Sequence, residues 1–150
     1  MNYAHLHLIV NHAPLFGLIF GFCLLIYFIR KRSEEVAKIA MFTFIVSAIF
    51  AVITYASGEK AEHTIETLQN IDKNIIRNHE KLAKIANIFT VSTGVISFIW
   101  FFIKDEFKKR YVAIGIIAIC LMGIGFMSRT ANTGGQIRHS EIGEYLIQEK

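Results

Sequence analysis

The sequence predicts an all-α membrane protein: four transmembrane helices packed as an antiparallel bundle in a single integral membrane domain covering residues 1–150. Three observations predict it. Hydrophobic residues make up 53% of the chain, with 13 Phe against a single Pro. Mean hydropathy is +0.44, which implies more apolar surface than a soluble domain of this length can bury. The apolar residues also gather into four runs of spanning length, with the polar residues concentrated between them.

The first run, Leu8 to Ile29, contains no acid or base except the imidazole of His12. It lacks the basic start and small-residue cleavage site of a secretory signal, so it is expected to be kept as the first span. Ile39 to Ala56 forms the second run, and Leu82 to Ile103, with Lys84 near its start, the third. The fourth, Val112 to Met127, crosses only if the helix continues through Ser128 to Ala131. Gly17 and Gly21 form a G-x-x-x-G pair, and Gly115, Gly123 and Gly125 stud the fourth run; both sets suit close helix approach or clearance for a ring. Cys23 and Cys120 fall in mid-span, where a thiol serves as a small packing residue.

Charge predicts orientation. The connections from Arg30 to Lys38 and from Lys104 to Arg110 hold eight of the sixteen basic residues, so the positive-inside rule places both in the cytoplasm of a bacterial inner membrane. Both termini and the middle connection then face the periplasm. The formal charge of +4 follows from this asymmetry and is no sign of nucleic acid as a partner.

With that topology all six histidines, His5, His7, His12, His63, His79 and His139, lie at the periplasmic ends of the four spans. At the helical rise His12 stands roughly 27 Å above Arg30, inside the apolar core, with His63, His79 and His139 roughly 10 to 15 Å higher. An ionisable group within a span is a functional-site hypothesis by default, which makes His12 the leading candidate. Convergent imidazoles from several helices are what a bis-histidine b-type haem or a transition metal ion requires. Histidines are also tolerated at helix ends near head groups, and His5 and His7 are read that way.

Past Met127 the tail reads TANTGGQIRHSEIGEY. Gly134 and Gly135 permit close approach of a flat or bulky group, or simply stop the helix. Arg129 and Arg138 offer guanidiniums suited to carboxylates such as haem propionates, with His139 a further ligand candidate. In the middle segment Glu59, Glu62, His63 and Glu66 fall at helical spacing, and Asn78, His79 and Glu80 precede the third span. A solvated helical hairpin shows the same charge pattern. No H-E-x-x-H, no Glu-x-x-His and no C-x-x-C-H occurs, so the zincin, ferritin-type di-iron and c-type haem signatures are absent, and no hydrolytic arrangement is evident.

The chain resembles an uncharacterised bacterial family of small four-helix inner-membrane proteins, a domain of unknown function. The resemblance rests on the H-x4-H-x-P opening at His7, His12 and Pro14, the Gly58-Glu59 pair after the second span, His79 before the third and Gly134-Gly135 after the fourth. It spans the whole chain, through short motifs. Relatives of this kind are sometimes fused to or encoded with Rieske or cytochrome c modules, so the resemblance implies respiratory electron transfer. The GGQIRH ending matches one branch; other members place an aromatic residue and a later His there, and His63 has no counterpart.

The expected function is therefore membrane-bound electron transfer by a His-liganded haem b at the periplasmic end of the bundle. Candidate cofactor residues are His7, His12, His63, His79, His139, Arg129, Arg138, Gly134 and Gly135. The expected partners are the lipid bilayer and a redox partner such as a quinol or periplasmic cytochrome, with an oligomer or a larger complex as a further option. One alternative is a copper, iron or zinc ion held by His12, His79, His139 and Glu59, Glu62 or Glu80. The other is a cofactor-free structural subunit.

Overall fold

The computed structural model describes residues 3–66 and 73–138, the side chains of 62–66 and 138 excepted. All its regular structure is helical: α1 (Tyr3–Val10), α2 (Ala13–Lys31), α3 (Glu34–Glu66), α4 (Lys73–Trp100) and α5 (Glu106–Arg138). Four spans, Tyr3–Lys31, Glu34–Ala61, Lys73–Trp100 and Glu106–Ile137, are long and apolar enough to cross a membrane. The chain is thus consistent with a multi-pass membrane protein.

The first span is broken where the sequence suggests one continuous run. Pro14 has no N–H to give the carbonyl of Val10 and its ring crowds that carbonyl, so the helix turns at Asn11 and His12. Helical pairing ends with Asn11 N–H donating to His7 O at 2.9 Å and resumes with Phe16 N–H donating to His12 O at 3.1 Å. The other spans are longer than their apolar runs. α3 continues through Gly58 and Glu59 to Glu66, α4 starts at Lys73, and α5 runs through Gly134 and Gly135 to Arg138. Apolar length measures the membrane core, whereas polar residues such as Glu, Lys, Asn and Gln can carry a helix beyond it.

The α2–α3 and α4–α5 connections are short and capped. Arg32 closes α2 in the left-handed conformation, φ 55°, its N–H donating to Phe28 O at 2.7 Å. Asp105 caps α5 by accepting from the N–H groups of Phe107 and Lys108 at 2.9 and 3.1 Å. At this end Lys109 bonds Glu34 and Glu106 at 3.0 and 2.8 Å, and Trp100 Nε1–H donates to Lys109 O at 3.1 Å, tying α3, α4 and α5 together.

The helices pack in a ring, α2 on α3, α3 on α4, α4 on α5 and α5 back on α2, with α1 resting on α3. Large apolar side chains such as Phe16, Phe20, Ile39, Phe42, Ile88 and Phe98 face outward, while Ala37, Ala40, Ser47, Thr90, Thr93 and Ser97 are buried. Small residues at the contacts beside a few large ones such as Leu18, Phe44 and Trp100, with an apolar outer surface, is the pattern of helices packed in lipid. The buried hydroxyls of Thr90, Thr93 and Ser97 donate back to carbonyls of their own helix at 2.7 to 2.8 Å. Gly17 and Gly21 earn their predicted place: a Cβ on Gly17 would collide with Ser47, and one on Gly21 would come within 2.6 Å of the Phe44 ring. Gly115 and Gly125 have nothing within 4 Å and make no such contact. Cys120 is buried, its thiol 3.6 Å from Leu18 O, whereas Cys23 is exposed.

Candidate functional site

The broken first span determines where His7 goes. The Val10 carbonyl left unpaired by Pro14 accepts the Thr54 hydroxyl at 3.2 Å, and Thr54 in turn offers its own carbonyl to His7 Nδ1 at 2.9 Å. A carbonyl only accepts, so Nδ1 carries a proton, and in the neutral ring it is Nε2 that keeps the lone pair. Ser57 adds a hydroxyl 3.5 Å from the same nitrogen while donating to Thr54 O at 3.0 Å. The half-buried ring lies against Gly58, where a Cβ would come within 2.9 Å of Cε1 and 3.0 Å of Nδ1.

His79, half-buried on α4, is held in the same manner by α5. Its Nδ1 lies 3.1 Å from Thr130 O and 3.0 Å from Thr133 Oγ1, and the Thr133 hydroxyl also reaches Thr130 O at 3.0 Å. The Thr130 carbonyl again assigns the proton to Nδ1 and leaves Nε2 with its lone pair. Gly134 lies beside this ring, where a Cβ would come within 3.2 Å of Cε1. The flat group that presses on the glycine-rich tail is thus the His79 imidazole. His7 stands on α1 and His79 on α4, and both helices pack against α3.

Each histidine's own span also carries a buried amide oxygen. The amide oxygens of Asn11, one turn from His7, and Asn87, two turns from His79, are buried without a partner among the described residues. A cleft of about 620 Å³ flanks His79 between α4 and α5, lined by Asn78, Arg129, Asn132, Thr133 and Gln136 among others.

The remaining candidates are placed as follows. His12, the leading choice from sequence, occupies the cap position of α2 with an exposed side chain; its ring makes no capping bond and lies 6.3 Å from Phe16. Glu59, Glu80 and Arg129 are exposed, and Gly135 has nothing within 4 Å. His139 and the side chains of Glu62, His63 and Arg138 lie outside the described residues. Among the described residues no three of His, Cys, Asp or Glu gather as a metal ion would need. Sequence reasoning ranked His7 below His12 because His7 precedes the apolar run. It missed Thr54, Ser57, Thr130 and Thr133, whose signal is a T-x-x-[ST]-G pattern present at both 54–58 and 130–134.

Comparisons with protein-family models, curated proteins and solved structures give no match. Fold and site together define a helical protein with four spans of membrane-crossing character and a pair of carbonyl-anchored histidines at one end.

Proposed function

We propose that this chain is an electron-transfer protein of the bacterial inner membrane that holds a b-type haem between His7 and His79 at the periplasmic end of an antiparallel four-helix bundle. The observation that carries this reading is the matched anchoring of the two imidazoles. Each gives its Nδ1–H to a backbone carbonyl, which fixes ring orientation, selects the tautomer and raises the basicity of the free Nε2. Among the described residues no third His, Cys, Asp or Glu joins the two imidazoles, and a pair of imidazoles would suit a haem better than a bare ion, for which three or four protein ligands are usual.

The haem would supply one-electron redox chemistry. The residues supply the rest. Thr54 and Thr130 would hold the ligands, Gly58 and Gly134 leave room for the imidazoles, and the cations of Arg129 and Arg138 would be available to the propionates. The basic connections at Arg30–Lys38 and Lys104–Arg110 favour the cytoplasm, which sets the histidines toward a periplasmic acceptor, with a quinol as the membrane-side donor. An optical spectrum of the purified protein tests the reading: a Soret band and a reduced α-band are expected, whereas metal by elemental analysis without a Soret band would replace haem with an ion site.

A further inference from the structure

The two histidine anchors belong to a larger correspondence. The numbering shift that carries His7 onto His79 also carries the buried residues of α2, Pro14, Leu18, Gly21, Leu25 and Phe28, onto buried residues of α4: Ala86, Thr90, Thr93, Ser97 and Trp100. The shift that carries Thr54 onto Thr130 carries Ala37, Ala40, Phe44, Ser47 and Ser57 of α3 onto Ala113, Ile116, Cys120, Gly123 and Thr133 of α5, again buried onto buried. The second shift is about one helical turn longer. The connection from Trp100 to Glu106 is longer than that from Lys31 to Glu34 and takes up most of the difference.

Any two helical stripes match at several shifts, so burial alone decides little. The same shifts, however, also superpose the chemistry. Thr54 O on His7 Nδ1 falls on Thr130 O on His79 Nδ1, the hydroxyl of Ser57 on that of Thr133, and Gly58 on Gly134.

We infer that the chain is a tandem repeat of one helical hairpin, and that its binding site is a two-fold site between the repeats. His7 with Thr54, Ser57 and Gly58 forms one half; His79 with Thr130, Thr133 and Gly134 forms the other. This rests on the reading of the pair as haem ligands and specifies it: the ligand is a single planar macrocycle per chain, taken on both faces by equivalent half-sites. Ser57 and Thr133 are positioning residues that act through the imidazoles. A site of this kind treats its two ligands alike, whereas an asymmetric site has one dominant histidine.

The test uses the full-length chain in two states. In protein from haem-deficient cells, labelled with ¹⁵N-histidine, the ring nitrogens of both His7 and His79 should report the Nδ1–H tautomer. In protein reconstituted with haemin, one equivalent should saturate a low-spin, six-coordinate species. Ser57→Ala and Thr133→Val should then move its midpoint potential in the same direction by similar amounts. Loss of low-spin character in His7→Ala and His79→Ala should be equal and should be restored by free imidazole, which separates ligation from misfolding. Different tautomers at the two histidines, or variants whose effects fall on one half alone, would overturn the two-fold site while leaving haem binding intact. Matched tautomers without haemin uptake would uphold the equivalent halves and overturn the haem reading.

Discussion

Thr54 is bonded to His7 through its carbonyl, at 2.9 Å, while its hydroxyl occupies the Val10 carbonyl that Pro14 leaves free. One residue of α3 thus both mends the broken first span and aims the imidazole that the break releases. The H-x4-H-x-P opening has a physical reading in these terms: its proline creates the acceptor, and its first histidine takes the position the break makes available.

Replacing Thr54 with Val keeps the side-chain shape and removes the hydroxyl, leaving Val10 O unpaired. The cost should be about 1 kcal/mol. Thermal unfolding in detergent should show this loss, and proteolysis should cut near Asn11 faster than in the parent. An unchanged melting curve would remove Thr54 from the account of α1.

Gly58→Ala and Gly134→Ala should both displace the imidazole they touch. The Cβ approaches are 2.9 Å to His7 and 3.2 Å to His79, so the Gly58 variant should be the more damaging. Overpacking of this sort costs about 1 to 3 kcal/mol. Cofactor content per chain measures the effect, with Gly135→Ala, which meets nothing within 4 Å, as the silent control.

The arginines separate haem from a bare ion. Replacing Arg129 and Arg138 with Gln removes two cations from the propionates and so favours the oxidised form, lowering the midpoint potential and weakening haem retention. For a bare cation site the same change would relieve repulsion and leave loading equal or higher.

Membrane orientation is testable without any cofactor. A reporter fused after Lys150 should read the periplasmic side, as the basic connections require. A cytoplasmic signal would turn the histidine end toward the wrong acceptor.

The spans were legible in the sequence because hydropathy reports directly on a membrane core; Gly17 and Gly21 were legible only as a place of close approach, by a helix or by a ring, and the contacts with Ser47 and Phe44 decide for a helix. Helix ends were less legible: the polar residues from Ser57 to Glu66 and from Lys73 to Lys81 read as a solvated helical hairpin between the spans, whereas they prolong α3 and α4 themselves. Within the site, His79, Gly58 and Gly134 stood out by type and motif. The order of His7 and His12 did not, because depth in an apolar run says how costly a histidine is but not which way it faces. That direction is set by the turn at Asn11 and by the Thr54 carbonyl, a contact between residues far apart in the chain that no local pattern encodes.

The most direct test of the central claim, that His7 and His79 are the ligand pair, is the reduced-minus-oxidised optical spectrum of the purified parent beside His7→Ala, His79→Ala and His12→Ala. The parent and His12→Ala should show the same Soret and α-bands, and each of the other two should lose them. A parent without a Soret band, or full haem retention in a His7→Ala, His79→Ala double variant, would contradict it.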